Sequence, residues 1–436
     1  MKIIVVGAGI GGLAVYHALR KHLADASPPV SLVVFEVTES MVSSSTAVGG
    51  ALGLAPNGLG AISRISADAA AYIEEQGFAG EVVTFRNSRG RLLGRFRAGR
   101  KARYGIGGLM VPRSTVHEAF VQELRPGAVA WGSRVRYVKE FGDRVEVVLE
   151  DGTTETADVV IGADGAQSVV REAIFGDVYD ARFENVTGVG GILPMSSLSD
   201  SLREKIHNDP VTVTFGANGF FGYSPVSSDP TDLKTAHLGW WSTYETDSTE
   251  PPTREAIREQ LLARHTGWES SDIISLGCSD DVQILPTYTT PRLPHWTSLS
   301  GSGRILLLGD AAHPMPPSPS HAHVSSQGVT CAVQDAVAIA LFLKHYRVSH
   351  RFGVEESLRR TARAYEGVRM KRVGRILDAS SKIGAGRKKS WLQEKVRDWR
   401  IWILCKLPEA INDARLGYDV EVDIARYIKK SGCEPE

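Results

Sequence analysis

The chain has 436 residues, enough for two or three structural units with their own cores. Its 50 basic residues balance 50 acidic ones, so no global field favours nucleic acid or an acidic membrane. The four cysteines are scattered without a C-x-x-C pair, which argues against a zinc or disulfide framework and for a reducing, cytoplasmic location. No apolar run approaches the length of a transmembrane span, so no transmembrane segment is expected, and the scattered cysteines predict no metal site.

The N-terminus carries the pattern of a nucleotide-binding β–turn–α unit. Lys2 to Val6 is rich in β-branched residues and predicts a strand buried on both faces. Gly7, Gly9 and Gly12 follow with G-x-G-x-x-G spacing, which permits a tight turn and close approach of backbone to a pyrophosphate. A helix over about Ile10 to His22 would direct its free N–H groups at that pyrophosphate.

A second apolar strand, Ser31 to Phe35, ends in Glu36. A carboxylate at this distance from the glycines is expected to accept a hydrogen bond from a ribose 2′-OH. It would repel a 2′-phosphate, so the pattern disfavours NADP at this site. It does not by itself distinguish NAD from FAD.

The next stretch alternates turns and short elements. Residues 49–58 predict a strand and turn that lead into a helix from Leu59 to about Ile65. Residues 81–96 alternate like a β-hairpin, and Ser114 is predicted to cap the helix that follows. Residues 135–150 predict two more strands.

A second buried strand with a glycine-rich turn begins at Asp158 and ends at Asp164-Gly165. Asp164 lies where a carboxylate at the end of a strand can meet ribose or backbone N–H groups. Arg171, one turn into the next helix, has the reach to bind a pyrophosphate with two hydrogen bonds. Taken alone, a surface turn without a ligand explains this stretch equally well.

Residues 176–296 change character, with four tryptophans and alternating segments that predict an antiparallel sheet inserted into the nucleotide domain. The predicted substrate wall consists of Phe221, Tyr223, Trp240 and Trp241. Ordinary sheet packing is the alternative explanation for these aromatic residues. His237, like the later His313, is interpreted as structural.

The third strong stretch is a strand of Ile and Leu that ends at Gly309-Asp310. Prolines then keep the chain extended until Gln327-Gly328, where a helix is predicted to begin and to run to about His345. Most of the remaining chain is predicted to be helical.

These three stretches, in this order, resemble the FAD-dependent aromatic-hydroxylase-type (group A) flavoprotein monooxygenases. The weaker matches are Pro56-Asn57, Arg113, Trp268, Gln327-Gly328, Gln334-Asp335, Tyr365-Glu366, Arg369 and Arg372. The resemblance implies non-covalent FAD, NADPH or NADH as co-substrate, and O2. The cofactor-binding residues it implies are Gly7, Gly9, Gly12, Glu36, Gly50, Arg113, Asp164, Arg171, Asp310, Gln327 and Gly328.

The implied fold is α/β: a Rossmann-like FAD-binding domain with a parallel sheet, an interleaved antiparallel β-sheet substrate domain, and C-terminal helices. The FAD-binding domain would comprise residues 1–75, 101–175 and 297–345. The substrate domain would comprise the hairpin 76–100 and the sheet 176–296, and residues 346–436 would form the helical region.

The expected reaction inserts one oxygen atom into a small molecule of secondary metabolism, by hydroxylation, epoxidation or a related route. Many relatives place an Arg on the first long strand of the substrate sheet to hold an anion. The corresponding stretch here, Thr187 to Pro194, is uncharged, which predicts a mostly neutral, apolar or aromatic substrate. His321 and His323 are the candidate proton-transfer residues, and an exposed connecting loop is the alternative for both.

Two other functions fit parts of the pattern. A flavin-dependent reductase of isoprenoid double bonds shares some of these motifs, and a non-catalytic flavin-fold carrier would need only the binding residues. Oxygen consumption distinguishes a monooxygenase from a reductase. A monomer or a homodimer is expected.

Overall fold

The computed structural model describes residues 1–41, 49–246, 252–268, 271–277, 282–315, 327–381 and 390–431. In these residues the strands are β1 (Lys2–Val6), β2 (Ser31–Phe35), β3 (Ala51–Leu54), β4 (Phe78–Ala79), β5 (Val82–Asn87), β6 (Leu92–Arg97), β7 (Leu109–Pro112), β8 (Val129–Ala130), β9 (Val135–Glu140), β10 (Val145–Leu149), β11 (Thr154–Ala157), β12 (Val159–Gly162), β13 (Arg182–Pro194), β14 (Thr212–Gly216), β15 (Gly219–Pro225), β16 (His237–Glu245), β17 (Gln283–Thr289) and β18 (Ile305–Leu307).

The helices are α1 (Ile10–His22), α2 (Pro56–Ile65), α3 (Ala67–Gln76), α4 (Lys101–Tyr104), α5 (Arg113–Val121), α6 (Val169–Phe175), α7 (Asp200–Asn208), α8 (Arg254–Arg264), α9 (Ser271–Gly277), α10 (Gln327–Leu343), α11 (Val354–Ser381), α12 (Trp391–Lys406), α13 (Asp413–Leu416) and α14 (Val420–Lys430). Short 3-10 turns cover Gly176–Tyr179, Met195–Ser197, Gly309–Ala311 and Glu409–Asn412, and a π-helical segment, Lys344–Ser349, extends α10.

A parallel sheet forms the centre of the first unit, with strand order β18-β12-β1-β2-β8. β1 pairs in parallel with both β2 and β12, and β12 pairs in parallel with β18. The residues of β1, β12 and β18 are almost all buried, as expected for strands covered on both faces. The bounds predicted for β1, α1 and β2 are confirmed, because the β-branched runs and the glycine turn define them locally.

A second, seven-stranded sheet has the order β17-β13-β16-β15-β14-β5-β6. The pairs among β13 to β17 are antiparallel, as predicted. The β5–β6 hairpin joins this sheet through a parallel pairing of β5 with β14, so the sheet is mixed. The connection from β5 to β14 passes through the nucleotide-binding unit, and a crossover of that length permits parallel pairing.

One local prediction is wrong. The helix α5 begins at Arg113 and has Pro112 as its N-cap, with no side-chain capping bond. Ser114 therefore lies inside the first turn. The reason is that β7 continues through Pro112, which pairs with Ala51 of β3, so the strand leads directly into the helix.

The helix α10 lies at the centre of the packed helices, against α1, α2 and α11. In the described part of the chain, only Gln327–Ser349 is long and apolar enough to cross a membrane. Within it, 78% of the most apolar 18-residue stretch is buried inside the protein. The expectation that no segment approaches this length and hydropathy was therefore wrong. The burial marks the segment as a core helix.

Candidate active site

A cleft of about 560 Å³ lies between the carboxyl ends of the parallel strands and one face of the seven-stranded sheet. This volume is typical of small-molecule and cofactor sites. On one side the cleft is lined by the turns after β1, β12 and β18 and by the start of α10. On the other side it is lined by residues of β13, β15, β16 and β17.

The turn after β1 has the geometry of a pyrophosphate cradle. Gly7 has φ of +98°, and a Cβ there would lie 2.6 Å from the carbonyl oxygen of Ala163. A Cβ on Gly12 would lie 1.8 Å from the carbonyl oxygen of Gly7, so both positions require glycine. A Cβ on Gly9 would meet nothing within 4 Å, and Gly9 caps α1 without a side-chain bond. The first N–H groups of α1 therefore face open space suited to an anion.

Glu36 is buried at the end of β2, beside this turn. One carboxylate oxygen accepts the Ala8 N–H at 2.6 Å. The other accepts the N–H and the hydroxyl of Thr38 at 3.0 and 3.1 Å. Each carboxylate oxygen has two lone pairs, so the fixed side chain still has acceptor capacity for a ribose hydroxyl. The ribose role of Glu36 stays a prediction.

Asp164 and Arg171 form hydrogen bonds with other groups of the protein. The Asp164 carboxylate accepts the Ser168 hydroxyl at 2.6 Å and the Val170 N–H at 3.1 Å, and thereby orders the start of α6. Burial raises the pKa of Asp164, and this effect exceeds the lowering by the two hydrogen bonds.

The Arg171 guanidinium is buried and donates to the carbonyls of Tyr179, Ala311 and Ala166 at 3.0, 3.1 and 2.5 Å. These bonds tie the turn after β12 to the turn after β18. A direct pyrophosphate contact from Arg171 does not fit this arrangement, because the buried guanidinium already donates to three backbone carbonyls.

Five other predicted cofactor residues line the cleft: Gly50, Arg113, Asp310, Gln327 and Gly328. Asp310 is exposed, and a Cβ on Gly328 would lie 3.9 Å from its Oδ1, so the carboxylate stands beside the start of α10. Gln327 is buried at that start, and within the described residues neither atom of its amide has a hydrogen-bond partner. Arg113 donates its backbone N–H to Gly50 O at 2.9 Å, and its Nε has no partner among the described residues.

These unsatisfied buried groups fit a polar ligand in the cleft, since buried polar atoms are rarely left without partners.

A buried charged network lies under the turn after β18, where no role was predicted. Asp335 is fully buried and accepts Arg369 Nε–H at 2.8 Å, His313 Nε2–H at 2.7 Å and Gly309 N–H at 3.2 Å. Burial opposes ionisation of Asp335, but Arg369 and His313 outweigh it and hold its pKa below the usual range. The network therefore fixes the backbone that presents Asp310. The weak sequence matches at Gln334-Asp335 and Arg369 were the available signal.

Of the four residues predicted to form the substrate wall, Trp240 and Trp241 border the cleft. The Trp240 side chain is fully buried in the core on the other face of the sheet, so Trp241 is the candidate wall residue of this pair. Its contact with substrate stays a prediction. Phe221 and Tyr223 instead lie on the opposite face of the sheet, in the core beneath α8 and α9. Phe221 stacks on Trp240 with ring centroids 5.7 Å apart. Phe220, one residue earlier, lines the cleft. Neighbouring side chains in a strand point to opposite faces of the sheet. A prediction that is off by one residue therefore assigns a core residue to the cleft.

Glycines lie near Trp241 on the cleft face of the sheet. Gly222 is opposite Trp241 in the sheet, and a Cβ on it would lie 2.4 Å from the Trp241 indole. Gly188 and Gly190 of β13 also line the cleft. Gly222 therefore lets the Trp241 indole lie close against the sheet, and a side chain at this position would displace the ring.

His321 and His323 lie outside the described residues. His313 serves the Asp335 network, and His237 Nδ1 lies 2.8 Å from the Thr235 carbonyl at the sheet edge, so both have the structural roles expected for them.

A family model described as an FAD binding domain matches residues 108–348, more than half of the chain. The chain belongs to the FAD-dependent monooxygenases of the aromatic-hydroxylase type. This monooxygenase is 27% identical over 355 residues to 6-hydroxynicotinate 3-monooxygenase of Pseudomonas fluorescens, covering 79% of this chain and 82% of that protein. It is 28% identical over 388 residues to zeaxanthin epoxidase of Solanum lycopersicum, covering 86% of this chain and 53% of that longer protein.

The fold matches that of HpxO from Klebsiella pneumoniae, solved in complex with FAD and uric acid, with a TM-score of 0.74 at 20% identity. The match covers 98% of this chain and 97% of that chain. The predicted fold class and FAD are confirmed by these comparisons. The family assignment identifies a monooxygenase, in place of the reductase and the non-catalytic carrier considered as alternatives.

In this monooxygenase, bound FAD supplies the redox chemistry and the activation of oxygen. The protein contributes binding and orientation. The α1 N-terminus would hold the pyrophosphate, Asp310 would accept a ribityl hydroxyl, and the N–H groups that begin α10 would stabilise negative charge on the flavin ring. The Asp335 network and Arg171 keep these turns in place.

Proposed function

We propose that this monooxygenase uses NADH or NADPH to reduce FAD and inserts one oxygen atom into a neutral, apolar or aromatic ring compound. The observation that carries the substrate class is the charge of the cleft lining. Among the described lining residues, the charged ones are Arg113 and Asp310, and both lie on the cofactor side.

The sheet side offers aromatic and aliphatic surface from Phe220, Trp241 and Leu285. Ser242 also borders the cleft, but its buried hydroxyl donates to the Phe220 carbonyl at 2.6 Å. An anionic substrate placed here would lose its hydration without gaining a cation, at a cost of several kcal/mol. A neutral ring loses little on entering and gains contact with the Trp241 indole.

Two features are consistent with a nicotinamide reductant that has no binding motif of its own. The Glu36 carboxylate beside the glycine turn disfavours a 2′-phosphate there, so that site suits the adenosine of FAD. The sequence has no second glycine fingerprint, and in relatives of this type none is expected. We therefore propose that NADH or NADPH binds transiently and leaves after reducing the flavin.

Paired substrates test the proposal. FAD-loaded enzyme is assayed for NAD(P)H oxidation and O2 consumption with a panel of ring compounds, each supplied as an acid and as its amide or ester. The neutral member should stimulate NAD(P)H oxidation and yield a product heavier by one oxygen atom. A consistent preference for the acids would refute the neutral-substrate proposal, and NAD(P)H oxidation without O2 consumption would refute the oxygenation.

A variant sharpens this test. Leu285 lines the cleft and is partly exposed, so Leu285→Arg places a cation on the sheet side without burying it in the core. The variant should shift kcat/KM from the neutral member of a pair toward the acid. Leu285→Gln is the matched control, because it changes polarity and shape without adding charge.

A further inference from the structure

The helix α12 presents an unusual surface to solvent. Trp391 and Trp399 are 65% and 63% exposed, and Leu392, Val396 and Trp402 are exposed as well. We call these five residues the outer face of α12. Large apolar side chains occur singly on most protein surfaces, whereas a contiguous group of this kind marks an interaction site.

The opposite side of the same helix is firmly packed, so the exposure is a property of a fixed helix. Ile401, Leu404 and Cys405 pack against the core of the seven-stranded sheet. A Cβ on Gly94 of β6 would lie 2.5 Å from Cys405 Cβ, so helix and strand are in close contact. The Arg397 guanidinium donates to the Gly216 carbonyl at 2.7 Å.

The charges on α12 are divided between the two sides. Glu394 and Asp398 pair with Arg397, at 3.7 and 2.8 Å. Lys395 and Lys406 are exposed.

Each of these lysines lies 6.0 Å from the ring centroid of an exposed tryptophan, Lys395 over Trp391 and Lys406 over Trp402. Arg400 is exposed too, so the solvent side of the helix is aromatic and cationic.

We propose that the outer face of α12 binds the surface of a membrane that contains anionic lipid. Tryptophan side chains favour the headgroup region, where the ring is in an apolar environment and the indole N–H stays hydrated. Lysines beside them attract anionic headgroups. A second copy of this chain fits less well, because a two-fold contact through this face would bring the basic residues of the two copies, Lys395, Arg400 and Lys406, close to one another.

Membrane binding would also suit the enzyme's chemistry, since an apolar substrate concentrates in lipid. The surface proposal does not depend on this link, because it can be measured without any substrate.

Flotation of the FAD-loaded enzyme with vesicles tests the proposal. Vesicles of phosphatidylcholine are compared with vesicles of phosphatidylcholine and phosphatidylglycerol, at low and high salt. The enzyme should float with the anionic vesicles, and high salt should weaken the binding. The double variant Lys395→Gln, Lys406→Gln should bind about 25-fold more weakly, at about fivefold for each basic residue removed. Trp399→Ala with Trp402→Ala should lower binding on the order of tenfold or more.

The matched controls are Lys234→Gln, which removes an exposed lysine outside α12, and Leu299→Ser, which removes an exposed apolar side chain outside α12. They should bind vesicles like the wild type. The flavin content and melting temperature of each variant establish that it is folded. Failure of the folded wild-type enzyme to bind anionic vesicles would overturn the proposal. So would equal binding to both kinds of vesicle, or a dimer in sedimentation that the tryptophan variant dissociates.

Discussion

The buried Asp335 network gives the sharpest test of how the cofactor turn is supported. Asp335→Asn keeps the size of the side chain and removes its charge. The carboxylate accepts three hydrogen bonds, from Arg369, His313 and Gly309, with both oxygens in use. An asparagine has one acceptor oxygen, and its amide nitrogen is itself a donor. Whichever way it is turned, at least one of the three donors faces another donor.

The size of the effect follows from burial. Asp335 and Arg369 have no exposed side-chain surface, so the variant leaves the guanidinium charge without its counterion in the protein interior. Removing one member of such a pair costs about 3–5 kcal/mol. That is a large part of the total stability of a typical domain, about 5–15 kcal/mol.

Denaturant unfolding of the FAD-loaded enzyme measures this loss, and flavin fluorescence measures the Kd for FAD in parallel. Asp335→Asn should lower the free energy of unfolding by about 3–5 kcal/mol and weaken FAD binding. The double variant Asp335→Leu, Arg369→Met should lose less than the sum of the two single changes, because no unpaired charge remains.

Asp143→Asn, which breaks an exposed pair with Arg144, is the control and should cost less than about 1 kcal/mol. If Asp335→Asn costs no more than this control, the network does not support the turn as argued.

Four further outcomes are expected. Asp310→Ala should raise the free energy of FAD binding by about 1–3 kcal/mol through loss of the ribityl acceptor, and an unchanged Kd in a fluorescence titration would refute that role. Glu36→Gln should raise the Kd for FAD about tenfold without altering the NADH/NADPH preference in steady-state assays, and a changed preference would contradict the assignment of this site to FAD. Gly222→Ala should displace the Trp241 indole and lower kcat/KM for the substrate with little change in FAD affinity; equal losses in both would argue against a substrate wall here. Burial lowers the pKa of His17 from 6.5 to about 4. As pH falls below 6.5, the unfolded chain therefore binds a proton before the folded chain does. The free energy of unfolding should fall by up to about 1.4 kcal/mol per pH unit between these two pKa values. His17→Gln should reduce this slope in unfolding experiments at pH 5 and 7, and an unchanged slope would show that His17 does not titrate as described.

The nucleotide-binding end of the chain was predictable because its signals are local. The bounds of β1, α1 and β2 follow from a β-branched run, a glycine turn and a terminal acid within the first 36 residues. The same is true of Asp310, which directly follows an apolar strand and lies on the cleft as expected.

Other roles depend on contacts between distant parts of the chain. Arg171 was expected to meet a pyrophosphate, and its guanidinium instead binds the carbonyl of Ala311, 140 residues away. The face that Phe221 occupies depends on which side of the sheet α8 and α9 cover, and the alternation of the strand alone does not specify that side. The parallel pairing of β5 with β14 depends on a crossover through another unit and was missed for the same reason.

The strand order β18-β12-β1-β2-β8 has a consequence for the synthesis of the protein. The cofactor cleft uses turns that follow β1 at one end of the chain and β18 near residue 307, together with the start of α10. A nascent chain on the ribosome therefore cannot complete the flavin site until Gln327, the first residue of α10, has emerged. At about 5–20 residues per second, β1 waits roughly 8 to 30 s for its sheet neighbour β12, and β18 completes the sheet only after roughly 15 to 60 s. Flavin can stabilise this fold only late in translation, so the early β1–α1–β2 unit must remain soluble through its own packing.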